Sequence, residues 1–178
     1  MLREMVIDKA SAGDVASTVT PAKFSPGKAF FSYFNSRVHG RVKFPGSRNG
    51  HTIATRWGDC RVLKEVTVER PGEKAPEAVF MARFHMKGSP EQNAKFIGLT
   101  VPFIAGLPGF RSKLWLLDEA TGDFQGLYEW STADHARAYA GYSGLLSFGF
   151  MKNRSVPGSV EYAIVDKSTG AEVAKGKL

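Results

Sequence analysis

Six side chains between residues 83 and 130 have the chemistry to bind an acidic aromatic molecule. They fall in residues 78–87, 110–118 and 124–130, whose composition and alternation predict three β-strands. Alternate side chains of a strand point to opposite faces of its sheet. One face, which the helices leave open, is therefore predicted to carry Arg83, His85, Lys113, Trp115, Tyr128 and Trp130. Aromatic walls with a few convergent cations are typical of a pocket for a planar anion.

Two of these residues are the candidates for catalysis. His85 is the candidate proton acceptor, because an imidazole titrates near neutral pH. Arg83 precedes it on the same face and is the candidate clamp for a carboxylate or enolate. Lys113 and the three aromatic residues are candidates for substrate binding. Structural roles stay open for all of them: a hydrogen-bonded surface histidine, an arginine paired with an acid of a partner chain, and aromatic packing in the core or a dimer interface.

The sequence lacks the residue patterns of metal sites, disulfide frameworks, nucleotide binding and nucleophilic catalysis. Cys60 is the only cysteine, which excludes an internal disulfide framework and a cysteine metal cluster. His39 and His51 are not at ligand spacing from a partner. The sequence contains no phosphate-binding loop, dinucleotide fingerprint, HExxH motif or nucleophile elbow. We therefore expect no metal and no cofactor.

The elements that would position the site follow a known order. From Ala78 onward the pattern predicts strand, helix, strand, strand, helix and strand, which is the βαββαβ arrangement of a ferredoxin-like α+β sheet. Serine before proline is typical of a helix start. The predicted connections and later elements are a helix from Ser89, a hairpin turn at 119–123, a helix from Ser131 or Thr132, and strands at 160–166 and 171–175.

The chain is predicted to divide into an N-terminal extension, residues 1–76, and the ferredoxin-like domain, residues 77–178. A linker rich in proline and glycine, residues 71–76, separates them. The extension contains an aromatic cluster at 28–35 and strand-like stretches at 37–44, 51–57 and 61–70. These stretches could lengthen the sheet, form a small β subdomain or cover the core as a lid. The sequence leaves the three arrangements open.

Positive charge is concentrated in the extension. The 178 residues carry a net charge of +7, and residues 1–76 hold 13 basic against 7 acidic side chains. A solvated basic face is the simplest interpretation. A nucleic-acid binder would instead combine the basic region 37–70 with stacking by Phe30, Phe31, Tyr33 and Phe34. Nucleic acid is the less favoured partner, because no recognised RNA-binding motif is present.

The composition is that of a globular protein, with 43% hydrophobic and 23% charged residues. The longest apolar stretch, residues 96–110, is short and broken by two prolines and three glycines, so it does not predict a membrane span. No signal peptide is visible at the N-terminus. The sequence therefore predicts a soluble cytoplasmic protein with no membrane partner.

The hairpin and the helix after it resemble a known superfamily. Pro108-Gly-Phe110 precedes the second strand, a tyrosine and a tryptophan close the third, and the capped helix that follows contains Ala136-x-x-Tyr139. In these features residues 78–175 resemble the dimeric α+β barrel superfamily. Within it they are similar to monooxygenases allied to the antibiotic-biosynthesis monooxygenases.

The resemblance implies a homodimer whose two sheets enclose a pocket. It also implies, for some members, oxygenation of polyketide-like phenols without metal, flavin or haem. Trp130 stands where several members have a pocket tryptophan. Met81 and Gly126 stand where the family has polar asparagines, and Ala140 replaces the helix histidine of the haem-degrading branch, which disfavours haem degradation.

Three functions are compatible with the sequence. The first is a cofactor-independent monooxygenase acting on an aromatic or polycyclic phenol or acid. The second is a non-catalytic protein that binds a small hydrophobic acid, and the third is the nucleic-acid binder. A homodimer is also expected from the residues, because an open face with three aromatic side chains would leave a large apolar patch on a monomer.

Overall fold

The computed structural model describes residues 24–142, 151 and 153–177, so the first 23 residues of the predicted extension lie outside the described residues. The described residues form an antiparallel sheet with helices on one face, which confirms the predicted α+β class. In chain order the elements are α1 (Pro26–Val38), β1 (Val42–Lys43), β2 (Thr52–Thr55), β3 (Gly58–Val68), β4 (Ala78–Phe84), α2 (Pro90–Ala94), α3 (Ile97–Ala105), β5 (Phe110–Leu117), β6 (Phe124–Trp130), α4 (Ala133–Ala140), β7 (Glu161–Asp166) and β8 (Glu172–Lys177).

The strands follow the order β1-β3-β5-β6-β4-β7-β8, with β2 paired to β3, and all neighbours are antiparallel. The five strands predicted from Ala78 onward are present as β4 to β8. Asp118 holds the predicted turn between β5 and β6, since its Oδ1 accepts hydrogen bonds from the backbone N–H groups of Ala120 and Thr121. These hydrogen bonds stabilise the turn that lets β5 and β6 pair with each other.

The aromatic cluster at 28–35 lies in α1. Ser25 caps this helix by accepting a hydrogen bond from the Lys28 N–H, and Pro26 occupies the first helical position. Only Val42–Lys43 of the predicted strand at 37–44 pairs with another strand. The prediction is wrong for the rest, because α1 continues to Val38 and Gly40, with φ of 68°, then turns the chain.

The extension lengthens the sheet, which is one of the three arrangements left open by the sequence. β3 pairs with β5 from Arg61 opposite Leu117 to Thr67 opposite Ser112. The strands β1 and β2 then add to the outer side of β3. Part of the sheet therefore comes from residues before the linker.

The helix predicted from Ser89 is divided in two. Ser89 caps α2 as expected, and its side chain accepts a hydrogen bond from the Gln92 N–H. At the junction the Asn93 carbonyl accepts from the Phe96 N–H in a tight turn, and α3 begins at Ile97. No helix in the described part of the chain is both long and apolar enough to cross a membrane.

The first helix crosses α3 at a glycine. A Cβ on Gly106 would lie 1.7 Å from the Ala29 carbonyl oxygen and 2.9 Å from the Tyr33 nitrogen. Glycine is needed for this close backbone approach, which fixes α1 on α3. Four large apolar side chains of α1 remain exposed: Phe30, Phe31, Phe34 and Val38.

The main core lies between the sheet and the helices. Directly opposed residues of antiparallel strands share a face, and the register places Tyr128 opposite both Phe80 and Lys113. The largest fully buried side chains of this core include Trp130, Tyr128, Tyr139, Phe80 and Phe110.

A smaller apolar cluster lies on the other face of the sheet. It contains the buried residues Cys60, Val62, Leu114 and Leu116, against which Ile53 and Leu127 pack. The hairpin formed by β2 and β3 reaches the far end of the sheet, where Arg56 Nη1 lies 2.8 Å from Glu172 Oε2 of β8. This ion pair joins the turn between β2 and β3 to β8, the last strand in the strand order.

Candidate functional site

The six predicted site residues do not share one face of the sheet. Tyr128 lies opposite Phe80 and Lys113, and it packs under the helices. The same register puts four of the six residues on the helix-covered side. Their predicted place on the open face is therefore wrong: these are Lys113, Trp115, Tyr128 and Trp130.

The burial of β5 explains the difference. Its residues from Lys113 to Leu117 are all buried, because Leu114 and Leu116 pack into the smaller cluster while Trp115 packs under the helices. Alternation in sequence separates a buried face from an exposed one, and this stretch of β5 has no exposed face. The face of β5 that was predicted to be open is therefore the face that the helices cover.

A cavity of about 30 Å³ lies between the sheet and the helices. It has room for two or three water molecules by the usual volume per water, about 10–15 Å³. Three of the predicted substrate-binding residues meet at its wall, whereas Trp130 packs outside it against Phe110 and Tyr139. The lining residues are Phe84, Met86, Asn93, Phe96, Ile97, Thr100, Ile104, Lys113, Trp115, Phe124, Gln125, Tyr128, Tyr139, Met151 and Arg154.

Lys113 is the basic group at the centre of this wall. It is 4% exposed, and its Nζ lies 4.2 Å from the Trp115 ring centroid and 4.3 Å from that of Tyr128. No hydrogen bond or ion pair connects Nζ to another of the described residues. Burial without a counter-charge lowers the pKa of Lys113 well below its ordinary value. The cavity therefore contains an amine that gives up its proton readily.

Tyr128 and Tyr139 also line the cavity that contains this amine. The Tyr139 hydroxyl donates to the Tyr128 hydroxyl at 3.4 Å. Burial raises the pKa of both tyrosines. Both phenols therefore stay protonated in the range where proteins work. The Tyr139 proton is used in the bond to Tyr128, so the Tyr128 hydroxyl is the one that can donate to an oxygen placed beside Lys113.

The rim of the cavity is formed by residues that the sequence did not indicate. Phe96 is 40% exposed, and the Arg154 guanidinium lies 4.2 Å from its ring centroid. Arg154 Nη2 also donates to Asn93 Oδ1 at 3.3 Å. No motif marks Arg154 or Asn93. The Ala136-x-x-Tyr139 face of α4 is the one signal that pointed to Tyr139.

Arg83 and His85 form a separate cluster on the other face of the sheet, away from the cavity wall. Arg83 Nε donates to Asp123 Oδ2 at 2.7 Å, and His85 Nδ1 lies 2.7 Å from Asp123 Oδ1. Burial alone would raise the pKa of Asp123, but the hydrogen bonds from His85 and Arg83 hold it below its ordinary value. The Arg83 fork thus holds a carboxylate of its own chain.

The described residues offer no other reactive group of the kinds considered in the sequence. Burial and the neighbouring Asp118 raise the pKa of the Cys60 thiol to about 11, so it stays a protonated, buried thiol. No three histidine, cysteine, aspartate or glutamate side chains of residues 24–142, 151 and 153–177 converge as a metal site would require.

Comparison with known proteins gives one structural likeness. No protein family model matches the chain, and no curated protein matches it. A solved structure described as "Crystal structure study of anthrone oxidase-like protein" is similar to it, with a TM-score of 0.44 and 14% sequence identity. The likeness covers 67% of this chain and 56% of that one.

Proposed function

We propose that the protein is a cofactor-independent monooxygenase that binds an aromatic or polycyclic phenol or acid in the cavity around Lys113. The observation that carries this proposal is an amine, 4% exposed, that lies between the rings of Trp115 and Tyr128 and pairs with no group of the described residues. The rings offer stacking area to a planar molecule, and the amine offers a place for its acidic proton. The cavity holds only two or three waters, so a ring-sized ligand enters when the Phe96–Arg154 pair at the rim moves aside.

The chemistry begins with proton transfer from the ligand hydroxyl to Lys113 Nζ. The product is a phenolate held by an ammonium group, and this ion pair is strong because the site is buried. The electron-rich anion then reacts with molecular oxygen at a ring-attached CH₂ carbon in conjugation with the phenolate. One oxygen atom stays on that carbon as a carbonyl, and the other leaves with the two hydrogens as water.

The proposal includes a ferredoxin-like fold for residues 77–178 and a homodimer. The strand order β5-β6-β4-β7 supports it, as do α2 and α3 between β4 and β5 and α4 between β6 and β7. The resemblance implies a pocket enclosed by two sheets, whereas the cavity described above lies between a sheet and helices of one chain. The Lys113 site is thus complete without a second copy.

Oxygen uptake on a panel of hydroxylated polycyclic aromatic compounds tests the function. We expect Lys113→Met to lose at least about 100-fold in uptake rate, the usual size of a lost general base. Lys95→Met is the matched control, since Lys95 is exposed and outside the cavity wall. His85→Ala and Arg83→Ala test the sequence-predicted catalytic pair, and we expect changes of about twofold or less. Full activity in Lys113→Met, or no uptake by the wild type on any compound, would overturn the proposal.

A binding protein without turnover is the second candidate. It is favoured by the absence of histidine, aspartate and glutamate side chains from the described cavity wall, which leaves Lys113 as the sole candidate base there. Isothermal titration with the same compounds separates the two functions. Micromolar binding that Lys113→Met abolishes, with no oxygen uptake, assigns the protein to ligand binding.

Nucleic-acid binding receives less support from the structure. Five of the eight basic side chains between Arg37 and Arg70 form ion pairs with glutamates, which satisfies much of the local positive charge. These pairs are Lys43–Glu69, Arg48–Glu65, Arg56–Glu172, Arg61–Glu119 and Arg70–Glu73.

A further inference from the structure

Lys113 has a second chemical capacity that proton transfer does not use. Its Nζ is enclosed by aromatic rings at 4.2 and 4.3 Å, and among the described residues it makes no hydrogen bond or ion pair. A lysine that is not tied to a carboxylate and is hidden from water keeps its nitrogen lone pair free for attack on a carbonyl carbon.

We propose that Lys113 forms an imine with a small aromatic aldehyde or ketone that enters the cavity. This activity goes beyond the oxygenation proposed above and does not require it. The rings of Trp115 and Tyr128 flank Nζ itself, so a group attached to the carbonyl carbon would lie among aromatic side chains, which favours an aromatic carbonyl compound. The Tyr128 hydroxyl, which accepts a hydrogen bond from the Tyr139 hydroxyl, keeps its own proton to donate to the carbonyl oxygen.

The reaction needs no oxidant, reductant or other co-reactant. The Lys113 nitrogen forms a bond to the carbonyl carbon while the electrons of the C=O double bond move to oxygen. A proton passes from nitrogen to that oxygen and gives a carbinolamine. The carbon–oxygen bond then breaks, water leaves, and a carbon–nitrogen double bond remains, so that one amine and one carbonyl compound yield one imine and one water.

Selectivity for Lys113 over the other lysines follows from protonation. An ordinary exposed lysine has a pKa near 10.4, so on the order of one in a thousand or fewer is neutral at pH 7. Several others are also held by acids, as in the pairs of Lys43 with Glu69 and Lys167 with Glu129. Lys113 is buried and has no acidic partner within the part of the chain that the structure describes. The main competitor is the N-terminal α-amino group, which has an ordinary pKa near 8.

Reductive trapping tests the imine directly. The purified full chain is treated with benzaldehyde and sodium cyanoborohydride at pH 7, and the benzylated residue is located by peptide mass mapping. We expect Lys113 to be labelled at least about tenfold faster than any other lysine, given the difference in neutral amine. Lys95→Met is expected to label like the wild type, and Lys113→Met to lose the internal label. Hexanal, an aliphatic aldehyde, is expected to label Lys113 more slowly than benzaldehyde.

The wild-type map alone decides the proposal, so a failure of Lys113→Met to fold does not weaken the test. Label confined to the N-terminus and exposed lysines of the folded protein, with Lys113 unmodified, overturns it. Oxygen uptake is measured on separate samples without aldehyde. An imine at Lys113 without oxygen uptake on any phenol would overturn the monooxygenase proposal and support the imine proposal. Oxygen uptake without an imine would support the monooxygenase and overturn the imine proposal.

Discussion

The protonation of Lys113 couples the stability of the protein to pH. Burial lowers its pKa in the folded chain, so between that lowered pKa and about 10.4 the unfolded state binds one more proton than the folded state. Stability from this group is therefore gained as pH rises through the window, by up to about 1.4 kcal/mol per pH unit. Above about pH 10 the trend reverses, because the raised pKa values of Tyr128 and Tyr139 favour unfolding there.

Urea unfolding of the wild type and Lys113→Met at pH 7, 8 and 9 checks this coupling. We expect the stability of the wild type relative to the variant to increase with pH, since methionine removes the titrating group and keeps the apolar length. Lys95→Met should follow the wild type. Parallel curves for the wild type and Lys113→Met would show that Lys113 titrates normally.

Asp123 also makes the protein more stable as pH rises, but it does so in an acidic window. The hydrogen bonds from His85 and Arg83 hold its pKa below the ordinary value. Its contribution is therefore complete above about pH 4 and is lost as pH falls through the lowered pKa. We expect Asp123→Asn to lower the unfolding free energy by about 1–2 kcal/mol at pH 7, measured by urea unfolding, and the difference from wild type to shrink toward pH 2.

The exposed pair Asp134–Arg137 provides the control for Asp123. Both side chains are about half exposed, and such surface pairs contribute little. Asp134→Asn should therefore change the unfolding free energy by about 0.5 kcal/mol or less. An equal loss in the two variants would mean that the buried cluster contributes no more than a surface ion pair.

Among the elements, the contact of α1 with α3 depends on one residue. The Cβ of Gly106→Ala would overlap the Ala29 carbonyl, and we expect a loss of about 3 kcal/mol or more in unfolding free energy. Gly98→Ala in the same helix is the matched control, because a Cβ there meets nothing within 4 Å. It should stabilise the helix by about 0.5–1 kcal/mol. Thermal unfolding of both variants measures the contrast.

Whether an element could be predicted from the sequence depends on whether one or both of its faces are buried. β4 could be predicted because Ala78, Phe80, Ala82 and Phe84 are buried while the residues between them are half-exposed. β5 could be predicted as a strand, but its facing could not, since both of its faces are buried. The cavity could not be predicted either, because Asn93 and Arg154 reach it only through the packing of distant segments.

At the scale of the whole molecule, the structure removes the original reason for expecting a homodimer and offers another. Trp115, Tyr128 and Trp130 are buried under the helices of their own chain, so they cannot form the exposed patch on which the expectation rested. The most exposed aromatic side chains of the described residues are on α1, where Phe31 is 76% and Phe34 is 60% exposed. An interface of two α1 helices would hide them.

Light scattering checks this dimer. We expect the wild type at micromolar concentration to have twice the 19.4 kDa mass of one chain, and Phe31→Ser/Phe34→Ser to be monomeric. Met81→Ser, on the face of the sheet away from the helices, is the comparison variant. If only Met81→Ser loses the dimer, the interface lies on the open face of the sheet and not on α1. A monomeric wild type would exclude both interfaces.

The strands at the edges of the sheet affect whether the protein aggregates at high concentration. An unpaired strand is a template on which another molecule can add its own strand, the first step of many aggregates. On one side of the sheet β1 offers only two residues for such growth, and β2 beside it offers four. On β8, Lys175 and Lys177 are engaged with Glu172 and Glu161, and an incoming strand would have to bring its backbone against these charges. The sheet thus ends on both sides in strands that resist fibril-like growth.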